Sequence, residues 1–444
     1  MPDKQILFWN EECETMPRPA LEALQLERLH KTAEHVYRNV PFYRDALDGK
    51  GVKPESIRSL ADLPRLPFTT KDDLREQYPL KLLAIPKDDV ARVHASSGTT
   101  GKPTVSAYSA DDLAMWAEVM ARVYTMAGCT RRDVVHNALG YGLFTGGLGF
   151  HLGAERIGAM VVPSGGGMSK RQIMLMEDFE ATVLVATPSY ALVLAETARE
   201  MGVDFHTRMK LRVGLLGAEP WTEEMRRELE ERMAIEAYDS YGLTEIIGPG
   251  VALECPYHDG LHIWEDHFLT EVVDPESGET LANGAEGELV ITTITRQAMP
   301  LLRYRTRDRV ALKHETCRCG RTMVRMSKVH GRTDDMLVVR GVNVFPSQVE
   351  EVVLATPGVE PHYQILVDRP KNKLDTLEVW VEAAPPLWEL GPEARERAQK
   401  QITAKLHDIL GLATAVSIVA PFSIARSEGK AKRIVDKRDM GVER

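Results

Sequence analysis

TVLVATPSYALVLAETAREMGVDFHTRMKLRVGLLGAEP, residues 182–220, reads as a strand, a helix and a second strand. TVLVATP (182–188) is apolar at successive positions, so both of its faces are buried, as in a parallel strand covered by helices. Residues 189–201 carry helical spacing, and LRVGLLGAEP (211–220) returns to a strand. The unit extends both ways: the strand GAMVVP (158–163) and a helix at 169–179 precede it, and a helix at 222–233 follows. Short apolar strands alternating with helices predict an α/β fold built on mostly parallel, helix-covered sheets. Upstream, residues 17–48 read as helical, with Leu21, Leu24, Leu26 and Leu29 among charges. A helix at 111–128, an apolar run at 133–139 and a Gly-rich loop at 140–149 that leads to a further helix come next. Beyond Tyr241 the texture changes, and alternating runs with turn signals (DPESGET, NGAEGE) over 261–312 predict an antiparallel subdomain. From Asp334 onward, strands at MLVVR, YQILVD, LEVWVEA and SIVA with helices at 346–355 and 392–410 predict a small α+β domain. Its boundary falls at GRTDD (331–335), marked by Gly and charge.

The bulk numbers exclude several classes. The chain has 444 residues, room for two or three cores. A net charge of −10 argues against a nucleic-acid partner, which needs a basic face to neutralise phosphates. No run approaches a membrane span, and acidic residues stand near the start where a signal peptide would be apolar. Five cysteines, Cys13, Cys129, Cys255, Cys317 and Cys319, fit reduced thiols in a cytoplasmic protein better than a disulfide framework. Cys317 and Cys319 on a turn, with Cys255 and either His258 or His262, would supply the donors of a closed tetrahedral zinc site.

SSGTTGKP (96–103) follows an apolar run, so it sits where a strand ends. Its glycines let backbone N–H groups converge on an anion, and Ser96, Ser97, Thr99, Thr100 and Lys102 add donors. It is not a Walker A loop, because Pro103 stands where that motif needs Ser or Thr. The octapeptide resembles the phosphate loop of the adenylate-forming family of acyl-CoA synthetases, luciferases and adenylation domains. Further motifs of that family occur in order: GAEP (217–220), YGLTE (241–245), YRTRD (304–308), GRTDD (331–335) and SEGK (427–430). GYGLFTGGLG (140–149), HIWEDHF (262–268) and GRTDDMLVVRGVNVFPSQVE (331–350) are similar to the phenylacetate–CoA ligases in particular.

The resemblance implies residues 1–333 as a nucleotide- and acid-binding domain and 334–444 as a mobile C-terminal domain. It implies that residues 96–102 hold the ATP phosphates, with Gly98 and Gly101 forming the turn. It likewise places Gly217, Ala218, Glu219, Pro220, Tyr241 and Gly242 around adenine, and Asp308 and Arg332 near the ribose. Thr244 would meet the α-phosphate, Glu245 would hold Mg²⁺, and Lys430 would catalyse adenylation, with Lys432 a nearby second candidate. Asp334 is the implied hinge, after whose rotation Gly341, Val342 and Asn343 would line the path of coenzyme A. Tyr141, Phe144, Gly146 and Gly147 would line an aryl-acid pocket, while Leu139 and PSGGG (163–167) depart from the family pattern and suggest a roomier one. For the zinc, the resemblance selects His262 over His258. The expected activity is ATP-dependent ligation of phenylacetate or a related aryl acid to CoA through an acyl-adenylate, by a homodimer serving phenylacetate catabolism. The alternative is transfer of the acyl group to a carrier protein or an amine.

Overall fold

The computed structural model describes residues 6–96, 103–332, 337–340, 342–369, 374–427 and 431–438, without the side chains of 338 and 343. Strands β1 (Arg92–Ala95) and β2 (Val105–Tyr108) pair antiparallel on either side of the Gly/Ser/Thr stretch in the sequence. The main sheet takes β3 (Val134–Asn137), β4 (Met160–Val162), β5 (Val183–Ala186), β6 (Val213–Gly217) and β7 (Glu236–Leu243) in the parallel order β4-β3-β5-β6-β7. Thr187 and Thr222 accept the N–H groups of Tyr190 and Met225, starting the intervening helices Pro188–Glu200 and Glu223–Met233 where hydroxyl caps predict them.

Past β7 the chain reverses. β8 (Gly248–Glu254), β9 (Leu261–Ile263), β10 (Phe268–Val273), β11 (Glu286–Thr293), β12 (Tyr304–Lys313) and β13 (Arg325–Met326) continue the same sheet antiparallel, in the order β7-β8-β9-β13-β12-β11-β10. The antiparallel run is thus one wing of an eleven-stranded sheet, joined to the parallel wing at the β7–β8 turn. Two other readings change. Residues 17–48 form two helices, Arg18–Asn39 and Pro41–Gly49, because Val40 before Pro41 is extended. The Gly-rich loop ends early, at the helix Thr145–Arg156. Its glycines are packing residues: a Cβ on Gly149 would meet Trp116 and Pro249, and one on Gly153 would meet Met120. Close approach to the helix Ala110–Met126 requires hydrogen there, which composition alone makes look like a loop.

The C-terminal part has its own sheet and core. β14 (Leu337–Val339) pairs with β15 (Val342–Val344), and β16 (Val359–Asp368), β17 (Thr376–Ala383), β18 (Ala415–Val419) and β19 (Ile434–Asp436) order as β18-β17-β16-β19. Helices Pro346–Leu354 and Pro392–Leu410 cover it, burying Val349, Val353, Ile402 and Leu406 against Ile365 and Val379. β19 and the short helix Pro385–Glu389 were not legible in the sequence pattern.

Candidate active site

β6 and β7 end side by side, and the site begins there. Gly217 closes β6 because a Cβ would run into the carbonyl of Ser240, and Ala218 turns the chain with φ +73°. One turn on, Glu219 Oε1 accepts the N–H of Ser189 at 2.6 Å, at the start of the helix Pro188–Glu200. Its Oε2 accepts the N–H of Ala431 at 3.1 Å. A residue of the GAEP turn thereby touches the chain immediately after the SEGK motif.

Near the end of β7, the Tyr241 hydroxyl donates to Asp308 Oδ2 at 2.6 Å. Arg332 Nη1 donates to the other oxygen of Asp308 at 2.9 Å, and Asp308 and Arg332 also form an isolated antiparallel bridge. Burial, and then the Asp308 charge, push the Tyr241 hydroxyl well above its ordinary range, so it remains a donor at neutral pH. Three residues from three motifs thus share one carboxylate.

A second cluster lies where the β1–β2 pair ends. Ser96 N–H donates to the Thr104 carbonyl at 2.9 Å, and Thr104 N–H to Ser96 Oγ at 3.1 Å. The Thr104 hydroxyl lies 2.8 Å from Ser96 Oγ and 3.2 Å from Glu245 Oε1, to which it donates. Burial, and then the Glu245 carboxylate, raise the Tyr304 hydroxyl well above its ordinary range, which places Tyr304 beside Glu245. Thr244 Oγ1 is 3.3 Å from Thr145 Oγ1, linking this cluster to the first turn of the helix Thr145–Arg156. Thr104, Tyr304 and Thr145 were missed as site residues; Thr104 adjoins the octapeptide and Tyr304 opens YRTRD, and those positions were the available signal.

The segment 137–151 forms a wall beside this cluster. Asn137 Nδ2 donates to the Tyr141 hydroxyl at 2.9 Å and to the Gly147 carbonyl at 2.7 Å, and His151 Nδ1 is 3.2 Å from the same hydroxyl. Burial pushes the Tyr141 hydroxyl up to about 12. Gly146 and Gly147 make room for protein: a Cβ on Gly146 would meet Phe144 and Leu139, and one on Gly147 would meet the Gly140 backbone. A Cβ on Gly165 of the PSGGG turn would come within 4.0 Å of the Tyr141 ring, and the turn borders a cavity of ≈ 240 Å³ lined by Val162, Pro163, Ser164, Arg171 and Gln172. Gln172 holds that turn, donating to the carbonyls of Gly165 and Gly167 and pairing with the buried His136.

Away from this site, Cys255, His262, Cys317 and Cys319 are all buried, and their ligand atoms lie within 4.8 Å of one another. Cys255 Sγ and Cys317 Sγ are 3.7 Å apart, and Cys319 Sγ is 3.5 Å from His262 Nε2. Ligands about 2.0–2.3 Å from a tetrahedral ion stand roughly 3.4–3.8 Å apart, so the donor set fits zinc. His258 is turned elsewhere, to Glu254 and Glu236. Residues 97–102, Asp334, Gly341 and Lys430 lie outside the described residues, as does the side chain of Asn343. Val342 is half-buried against the C-terminal core.

A long mixed sheet with two clusters at the end of its parallel strands, faced by a second α+β unit, defines an AMP-binding enzyme. The family model for AMP-binding enzymes matches residues 15–298, and that for the AMP-binding enzyme C-terminal domain matches residues 341–438. The phenylacetate-coenzyme A ligase of Thermus thermophilus is 51% identical over 446 residues, covering 97% of this chain and 100% of its own length. The chain belongs to the phenylacetate–coenzyme A ligase family, which are AMP-forming acid–thiol ligases. Among solved structures, 2-hydroxyisobutyryl-CoA ligase in the postadenylation state with 2-HIB-AMP superposes with a TM-score of 0.93 at 29% identity, over 99% of this chain and 94% of that one. The same enzyme in the thioesterification state with 2-HIB-AMP and CoA gives 0.72 at 30% identity and the same coverage.

Proposed function

We propose that the protein ligates phenylacetate or a related arylacetate to coenzyme A in two steps. The carboxylate attacks the α-phosphorus of ATP, forming acyl-AMP and releasing pyrophosphate; the CoA thiol then attacks the acyl carbon and AMP leaves. The observation that carries this reading is the convergence of Tyr241, Asp308 and Arg332, from three distant motifs, on one hydrogen-bonded set. Tyr241 presents its ring to adenine while its hydroxyl is held by Asp308, whose carboxylate takes the ribose hydroxyls. Residues 96–102, with Gly217, Ala218, Glu219, Pro220 and Gly242, complete the nucleotide site. Thr244 faces the α-phosphate. Lys430 neutralises charge where carboxylate and phosphate meet, a role of positioning and electrostatics.

Glu245 is a single hard-oxygen ligand beside hydroxyl groups, a donor set that suits Mg²⁺ completed by phosphate oxygens. Bound there, Mg²⁺ supplies charge neutralisation for the phosphates. Tyr141 and Phe144 form the walls of the aryl pocket, with Gly146 and Gly147 letting helix and wall close up. Residues 1–333 and 334–444 act as two domains hinged at Asp334, bringing Gly341, Val342 and Asn343 to the CoA path in the second step. The closer match to the postadenylation arrangement supports reading this structure as the first of the two states. Zinc held by Cys255, His262, Cys317 and Cys319 is structural and closed to solvent. Reduced thiols and the family resemblance support a cytoplasmic homodimer. The test is AMP release from ATP in the presence of phenylacetate: it should depend on CoA and match the thioester formed, and release that instead follows an amine or a carrier protein would overturn the reading.

A further inference from the structure

Glu196 lies buried on the helix Pro188–Glu200 and has no part in the chemistry above. Both of its oxygens are engaged by the C-terminal unit. Oε1 is 2.7 Å from His362 Nε2 on β16, and Oε2 accepts from Arg426 Nε at 3.0 Å. Arg426 immediately precedes SEGK, and its Nη1 and Nη2 donate to Glu382 at 2.8 and 2.7 Å. Glu382 in turn accepts the N–H groups of Phe422 and Ile424 at 2.8 and 3.2 Å, which fixes the chain leading into Arg426. Arg426 is therefore a cation bridging two buried carboxylates, Glu196 of the large unit and Glu382 of the small one. On the far side of SEGK, Ala431 N–H is held by Glu219. Arg426 and Ala431, which flank SEGK in the sequence, are thus both held by carboxylates of the large unit.

We infer that Glu196 is a positioning residue: it latches the segment carrying Lys430 against the nucleotide end of the sheet for adenylation, and releases His362 and Arg426 before thioester formation. The inference rests on the proposed function. Charge-assisted hydrogen bonds at these distances are directional, so rotation of the small unit breaks them together and does not stretch them gradually. Until solvent enters, the broken latch leaves a buried carboxylate without its hydrogen-bond donors, the Arg426 cation among them, which makes the arrangement two-state.

The test uses the full chain with Glu196→Gln and measures each half-reaction. Phenylacetate-dependent exchange of pyrophosphate into ATP should fall roughly tenfold or more, since one member of a buried charge pair is lost. The KM for ATP should hold, and thioester formation from supplied phenylacetyl-AMP and CoA should be unchanged or faster. Equal loss in both half-reactions, or no loss in the first, overturns the latch. Should Glu196→Gln fail to fold, His362→Gln tests the other donor with the same expected split. Wild-type protein without exchange activity would instead overturn the proposed function. In that event the latch is still read by hydrogen–deuterium exchange, where Glu196→Gln should deprotect 359–368 and 415–427, and unchanged protection refutes it.

Discussion

Asp308 already receives Tyr241 and Arg332, one on each oxygen, which would aim its carboxylate for the proposed ribose contact. Asp308→Asn keeps the shape but turns one acceptor into a donor facing donors. It should raise the KM for ATP about tenfold or more and leave that for the acid nearly unchanged, because a buried mispaired polar group costs roughly 1–3 kcal/mol. Titration of ATP at saturating acid checks it, and an equal rise in both constants would count against the assignment. Lys430→Ala should lower pyrophosphate exchange by about 10²-fold or more, the scale of losing a transition-state donor, while sparing thioester formation from supplied acyl-AMP. Loss of both steps alike would remove Lys430 from that role. Motif residues such as Tyr241, Asp308 and Arg332 were legible in the sequence because each sits in a run with a distinctive order. Asn137, Thr104 and Glu196 were not: each is a lone polar residue in an ordinary strand, turn or helix, and Thr104 and Glu196 find Glu245 and His362 far away in the chain.

At the scale of elements, alternation of apolar strands and helices predicted the parallel wing closely, since burial on both faces leaves a simple pattern. The first turn of the helix Thr145–Arg156 was read as loop, because glycine signals a loop unless the neighbour that requires it is known. Gly153→Ala tests this. In an open helix interior the change should stabilise by about 1 kcal/mol through helix propensity. Here the new methyl would meet Met120 Cβ at 2.5 Å and its backbone at 2.9 and 3.0 Å, so overpacking of roughly 1–3 kcal/mol should win and lower Tm. A raised Tm would contradict the packing account. The loop Cys317–Cys319 is the other element that needs its partner. It is pinned to the N-terminal segment by Arg321, buried against Glu14, and by Thr322 N–H on the Glu14 carbonyl. Protein purified without chelator should contain about one zinc per chain, and Cys317→Ser should lower both zinc content and Tm without changing the KM for ATP, because metal-binding energy is folding energy. Zinc-free protein of undiminished Tm would dismiss the site.

For the whole molecule, one sheet carries both wings, and the small α+β unit meets it through polar pairs such as Glu196–His362, Arg232–Glu360 and Thr222 N–H on Glu350. Polar contacts of this kind suit an interface that must open, where a large apolar one would hold the units together. The unit was visible in the sequence as a run of strands and helices beyond Asp334, but its placement against the sheet was not, because interface partners leave no local periodicity. The proposed function has this sheet end and the wall at 137–151 serve an arylacetate. Burying a phenyl ring against Tyr141 and Phe144 contributes roughly 1.5–3 kcal/mol, about one to two factors of ten in specificity. The direct measurement is kcat/KM for CoA-thioester formation with phenylacetate, indole-3-acetate, octanoate and acetate under one condition. Phenylacetate should exceed acetate and octanoate by about tenfold or more, with indole-3-acetate accepted comparatively well if Leu139 widens the pocket; octanoate or acetate as the best substrate would contradict the account.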